Sequence, residues 1–317
     1  MDIVRMEGGL GNQLFQYALY RQLQLMGRSV KMDVTTEYGR AGDRTPMLWA
    51  LNTAYEVASQ EEINRLTDGF MDLPSRIRRK ITGRKTKKYA EADSNFDPMV
   101  LQKTPVYLTG YFQSEKYFPD AKEVLRRELT FSERIYDGIP RKLRDIVKDY
   151  ERQIVCSQSD SNLCFDSTSD IDLAPDSVSL HIRRGDYLNH PEIYGQSCTI
   201  EYYRAAINFI KEHHPNARFF VFTNDADWTD NWLQQNFDED FTLIRGTNEE
   251  TGYLDLMLMS KCKHQIMANS SFSWWGAWLN RNPEKLVIAP SPWFGDRDSY
   301  DIYTENMIKI SPDGKIQ

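Results

Sequence analysis

From residue 178 to the C-terminus, short continuous apolar runs alternate with segments of helical period. The runs at 178–182, 218–223, 241–244, 264–268 and 286–289 predict strands. Between them, 200–213, 229–236, 253–262 and 272–280 predict helices. Strands that are apolar on both faces, each followed by a helix, predict a parallel sheet covered on both sides. The chain opens the same way. Residues 2–6 predict a strand, Gly8-Gly9-Leu10-Gly11 a turn, and Asn12 onward a helix with Leu14, Phe15, Ala18, Leu19, Leu23 and Met26 on one face. Gly27 ends that helix where a left-handed backbone costs little, and 29–33 completes a β-loop-α-β unit. Residues 106–109 then predict a strand running into Gly110-Tyr111-Phe112-Gln113-Ser114, and 120–129 predict a helix. No internal repeat of fixed period argues for a solenoid. The expectation is an α/β protein of two Rossmann-like domains, 1–155 and 178–317. The Ser-, Asp- and Asn-rich stretch 156–177 is the expected linker.

Composition narrows the function. Lys and Arg number 39 against 46 Asp and Glu, a net charge of -7 over 317 residues. Such a chain is poorly suited to holding a nucleic-acid duplex by counterion release. The first six residues lack the basic and apolar regions of a secretory signal, and no apolar run reaches the roughly 18 residues of a membrane span. Cys156, Cys164, Cys198 and Cys262 are scattered without a metal-binding or disulfide pattern. A cytoplasmic protein is expected. Against the acidic background, residues 76–88 hold eight basic residues and no acid. That run, Arg76 to Lys88, is either a solvated face or a peripheral contact with an anionic membrane.

Ligands of open α/β sheets bind outside the carboxyl ends of the strands. Three polar clusters fall there: His181-Ile182-Arg183-Arg184-Gly185-Asp186-Tyr187, then Asn224-Asp225, then Asn269-Ser270-Ser271-Phe272-Ser273. If the strand persists, His181 and Arg183 share a face, one arginine reaches an anion and the other braces the loop, with Asp186 as its expected partner. The planar guanidinium fork suits a diphosphate. The serines open a helix, where hydroxyls and free N–H groups meet an anion, or else simply cap it. Trp274, Trp275 and Trp278, at helical spacing, are expected in the core. Gly9-Leu10-Gly11 with Asp33 imitates a dinucleotide fingerprint, but Leu14 stands where the third glycine belongs. Gly9, Gly11, Asn12 and Gln13 are therefore read as the lip of a cleft. Asp238-Glu239-Asp240 resembles a metal grip but precedes a strand, so it is read as a solvated loop, and no metal is expected.

These stretches resemble the bacterial α-1,2-fucosyltransferases of glycosyltransferase family 11. The resemblance rests on residues 8–18, 110–118, 181–187 and 269–278, and on the Gly-Gly-x-Gly-Asn-Gln and His-x-Arg-Arg-x-Asp motifs in particular. It implies a GT-B-like fold, two Rossmann-like domains facing across a cleft, with the acceptor on the first domain and the donor on the second. It implies GDP-β-L-fucose as donor, a terminal galactoside as acceptor, inversion, no cofactor, and a place in surface-polysaccharide synthesis. Arg183 would hold the diphosphate, with Arg184 and Asn224 beside it. His181 would lie near the nucleoside, Asp225 near guanine or ribose, and Ser270 and Ser271, after Asn269, near the phosphates. Asn12 would approach the diphosphate or the reacting sugar. Asp186, ahead of Glu7, is the carboxylate expected to take the acceptor's proton. A fucosyltransferase of another linkage shares the second motif. A nucleotide-dependent oxidoreductase would explain Asp33 but not the arginines, and a carbohydrate-binding protein would have no need of them.

Overall fold

The computed structural model describes residues 1–35, 45–156, 176–184, 187 and 191–317, which fall into two compact units, Met1–Ser132 and Glu133–Gln317. The first contains β1 (Asp2–Arg5), α1 (Leu10–Leu25), β2 (Val30–Asp33), α2 (Gln60–Thr67), α3 (Leu73–Thr82), β3 (Lys88–Ala90), α4 (Met99–Gln102), β4 (Tyr107–Thr109) and α5 (Lys122–Glu128). Its four strands lie in the order β2-β1-β4-β3, and every pair is parallel. Ile3, Val4, Leu14, Phe15, Ala18 and Leu19 are fully buried, which fixes α1 against β1. Gly27 has φ +77°, directly after the helix ends, as its place in the sequence requires.

The second unit contains α6 (Arg141–Cys156), β5 (Ser177–Ile182), α7 (Pro191–Tyr194), α8 (Ile200–His213), β6 (Arg218–Thr223), α9 (Ala226–Asn236), β7 (Phe241–Leu243), α10 (Gly252–Lys261), β8 (His264–Ile266), α11 (Ser271–Leu279), β9 (Val287–Pro290) and β10 (Met307–Ile310). Its six parallel strands lie in the order β10-β9-β8-β5-β6-β7. All six residues of β5 are buried, the mark of a strand covered on both faces. The α/β expectation holds in each unit.

Both sheets have a switch point, where successive strands turn from one side of the first strand to the other. In the first sheet it lies between β1 and β4, in the second between β5 and β8. Open α/β sheets bind ligands at the carboxyl side of that point.

Four expectations change. The boundary at 155 gives way to one at 132/133, because α6 packs into the second unit: Val147 and Ile154 are fully buried, Tyr150 Oη donates to Leu243 O at 3.2 Å, and Lys261 pairs with Glu151 at 2.9 Å. Of the expected linker, 157–175 lies outside the described residues, while Ser177 already belongs to β5. Helix α1 begins at Leu10, so Gly11 is a buried residue of its first turn rather than part of the preceding loop. Finally, β5 ends at Ile182, so strand alternation does not extend to Arg183.

Candidate active site

The carboxyl end of β5 lies beside that of its parallel neighbour β8, and the residues following each strand are tied together. Tyr187 Oη donates to Asn269 O at 2.9 Å. The Asn269 side chain, buried, donates to Trp293 O at 3.0 Å and Tyr194 O at 3.3 Å. Asn269 therefore holds three segments in place. Ser270 caps α11, accepting from Phe272 N at 3.3 Å. Ser271, half-buried, is the first residue of that helix, where the dipole and the first-turn N–H groups favour an anion.

The two arginines divide their work. Arg184 donates from its backbone N to Asn224 Oδ1 at 2.9 Å, pairs with Asp225 Oδ2 at 3.1 Å, and lies over the Trp228 ring at 4.0 Å from its centroid. Asp225 also caps α9 through Trp228 N at 3.3 Å. Arg184 is thus the bracing arginine, and it braces onto the β6–α9 turn. The expected partner, Asp186, lies outside the described residues, as does Gly185. Arg183 is half-buried, with its guanidinium over the Tyr187 ring at 5.6 Å.

His181 sits inside the sheet end, 3% exposed, 5.9 Å from the Phe272 ring centre. Burial first, and then the charge of Arg183, lower its pKa to about 3. It is neutral at physiological pH, and its Nδ1 has no partner among the described residues.

The first sheet gathers its own polar edge. Gln113 Nε2, beyond β4, donates to Asn12 Oδ1 at 2.8 Å, and Gln16 Nε2 donates to Gly110 O at 2.9 Å. Gly9 opens α1, and no side chain caps that helix. Gly8 has φ +77°, and a Cβ there would stand 2.7 Å from Asn12 Nδ2, so the turn admits only glycine. Glu91, directly after β3, accepts from Tyr111 N at 2.7 Å and Phe112 N at 3.1 Å. Burial raises its pKa to about 7, against the pull of those two N–H groups, with Glu7 and Asp93 adding repulsion. Glu7 pairs with Arg5 at 3.2 Å.

Sequence reasoning missed Glu91, which follows a three-residue strand without an apolar run. It also missed Asp255 in the first turn of α10. Thr247 donates to Asp255 Oδ2 at 3.0 Å, Oδ1 is buried without a partner among the described residues, and burial lifts the pKa to about 7. A lone acid in a helix reads from sequence as solvent-facing.

Other readings find their places. Asp33 is fully buried and accepts from Tyr107 Oη at 2.6 Å and from Thr35, so the dinucleotide-like acid serves the interior. Glu239 pairs with Lys211 at 2.9 Å in the loop before β7. Trp274 and Trp275 are fully buried and Trp278 nearly so. One cluster of metal-ligand type occurs among the described residues, Asp176, His214 and His264. It stands at the opposite, amino end of β5 and β8, where Lys263 Nζ lies 2.6 Å from the Asp176 carboxylate.

The sequence pattern of glycosyl transferase family 11 matches residues 146–310. An alpha-1,2-colitosyltransferase of Escherichia coli is 33% identical, over 97% of this chain and 98% of its own. The O-antigen biosynthesis glycosyltransferase WbnK of the same organism is 26% identical over 96% and 99%. Among solved structures, the fucosyltransferase NodZ from Bradyrhizobium aligns with 86% of this chain and 90% of its own, at 12% identity and a TM-score of 0.45. The pattern match over half the chain, and the near full-length relative, show that this chain belongs to glycosyl transferase family 11.

Proposed function

We propose that the chain moves L-fucose from GDP-β-L-fucose to the 2-hydroxyl of a terminal galactoside, with inversion, in the synthesis of an O-antigen-like polysaccharide. The observation that carries this reading is that Arg183 follows β5 and the N-terminus of α11 follows β8, the two strands that flank the switch point, with Arg183 over the ring of Tyr187, which donates to Asn269. Full-length relatives named for α-1,2 transfer and for O-antigen synthesis support it.

The acceptor oxygen attacks the anomeric carbon while the bond from that carbon to the β-phosphate oxygen breaks. Negative charge grows on the departing diphosphate. Arg183 and the first-turn N–H groups of α11 meet that charge with donors fixed in advance, the arrangement that contributes most in many enzymes. Arg184, held by Asp225 and Trp228, fixes the loop that carries Arg183. Neutral His181, buried at this end of the sheet, keeps a ring nitrogen without a partner among the described residues. The basic and dipolar groups supply the charge stabilisation, and we propose that no metal takes part.

The acceptor's proton is assigned to Asp186. A second reading assigns it to Glu91, because that carboxyl stands at the edge holding Asn12 and Gln113 with a pKa near working pH. Under the first reading Asp186→Asn loses about 100-fold or more in kcat with GDP affinity kept, and Glu91→Gln retains turnover. The reverse pattern selects the second.

The donor sugar itself has one specific competitor. Colitose is fucose without its 3-hydroxyl, and a relative carries colitose in its name. Turnover of GDP-fucose and GDP-colitose against a panel of β-galactosides, with product linkage read by NMR, tests the proposal. An α-1,2-fucosyl product supports it. Transfer from GDP-colitose alone, or a different linkage, overturns the donor or the linkage assignment respectively.

A further inference from the structure

Helix α3 is built inside out. None of its ten residues is buried. Leu73, Ile77 and Ile81, at spacing i, i+4 and i+8, form one stripe, and they are 67%, 50% and 77% exposed. Met71, just before the helix, is 77% exposed. The side turned to the protein is polar. Arg79 donates to Phe70 O at 2.7 Å and Asp68 O at 3.1 Å, and Arg78 pairs with Asp68. Asp68 also accepts from Lys85 N at 2.9 Å, so the helix and the segment after it are tied to one carboxylate. Of the eight basic residues in the run, Arg78 and Arg79 are thereby structural. Arg76, Lys80, Arg84, Lys85, Lys87 and Lys88 are exposed, and no carboxylate lies within ion-pair distance of their side chains among the described residues. Arg76 and Lys80 flank the apolar stripe on the helix surface.

A stripe of three large aliphatic residues facing water, rimmed by positive charge, is unfavourable in solution and suited to one surface. An apolar face a few ångströms deep in acyl chains, with lysines and arginines at the headgroups, is how interfacial helices lie in a bilayer. The charge contrast favours an anionic occupant, because the remainder of the chain carries about twice its net negative charge once these eight are set aside. We propose that α3, with the basic segment through Lys88, docks the chain onto an anionic lipid surface. The contact is peripheral, since no helix among the described residues is long and apolar enough to cross a membrane.

The test is flotation of the full chain with vesicles of phosphatidylcholine alone and of phosphatidylcholine mixed with phosphatidylglycerol. The chain is expected to float with the mixed vesicles and not the neutral ones. Binding is expected to weaken as salt rises, because screening acts on the basic rim. Ile77→Ser with Ile81→Ser, both at exposed positions, is expected to raise the half-saturating lipid concentration roughly tenfold or more. Arg76→Gln with Lys80→Gln and Arg84→Gln is expected to do the same, while Arg141→Gln on α6 leaves it unchanged. Circular dichroism confirms each fold, and turnover of a soluble acceptor stays at the parent level. Absence of flotation by the parent chain overturns the proposal, as does parent-like flotation by the serine variant. A dimer in sedimentation velocity that the serine variant abolishes also overturns it, by assigning the stripe to a second copy.

Discussion

Arg183 and Arg184 are adjacent and chemically identical, yet the fold gives them different neighbours. Arg184 is spent on Asp225, Asn224 and Trp228. Arg184→Ala is therefore expected to lower the melting temperature together with turnover. Arg183→Ala is expected to melt like the parent and lose about 100- to 1,000-fold in rate, the cost of one preorganised donor. Lysine at 183 restores part of that loss, because a point charge cannot reproduce a guanidinium fork. Steady-state transfer with a melting curve for each variant separates the two roles. Glu91 gives a prediction in pH. Its carboxyl holds a proton more tightly folded, at about 7, than unfolded, at 4.5. Its contribution to stability is complete below the unfolded value and is lost as pH rises through about 7. Melting temperatures between pH 4.5 and 7.5 should therefore fall less steeply for Glu91→Gln than for the parent; identical slopes would mean that Glu91 titrates normally.

At the scale of elements, what the sequence revealed tracks how each element is stabilised. Strands β5, β6 and β8 and helices α8 and α11 were legible because burial on both sheet faces forces continuous apolar runs, and helix packing forces a 3.6-residue period. Helix α11 bears out the core reading of its tryptophans: Trp274 and Trp275 meet edge-on at 5.1 Å, and Trp274 Nε1 donates to Ile302 O at 2.8 Å. They pack the core, and Trp274→Ala is expected to cost about 3–5 kcal/mol by denaturant unfolding. Strand β3, three residues that include a lysine, has no pattern to read. Strand β10 is an edge whose residues are mostly half-buried. Helix α6 carries Leu143, Ile146, Val147, Tyr150 and Ile154 at helical spacing, so the element was legible; what was not is its membership of the second unit, which only its packing against α10 reveals. At the site, the clusters at strand ends were legible from alternation alone. Which groups brace the loops was not, since it depends on Asn269 and Asp225 reaching across loops distant in sequence.

Across the whole molecule, the same physical rule locates the polar groups of both units. Each parallel sheet has a point where its strands pass from one side of its first strand to the other, and each gathers polar side chains after the strands there: Asn12 and Gln113 in the first, Arg183, Asn224 and Ser271 in the second. A chain with net charge -7 thus holds its proposed anionic donor by local arrangement rather than by overall charge. Titration calorimetry of GDP in the presence of EDTA, on the parent chain and on folded Arg183→Ala, tests this most directly. The parent is predicted to bind GDP without divalent metal, and Arg183→Ala to bind it roughly tenfold or more weakly. Binding that needs manganese, or equal affinity in the two proteins, would contradict the account.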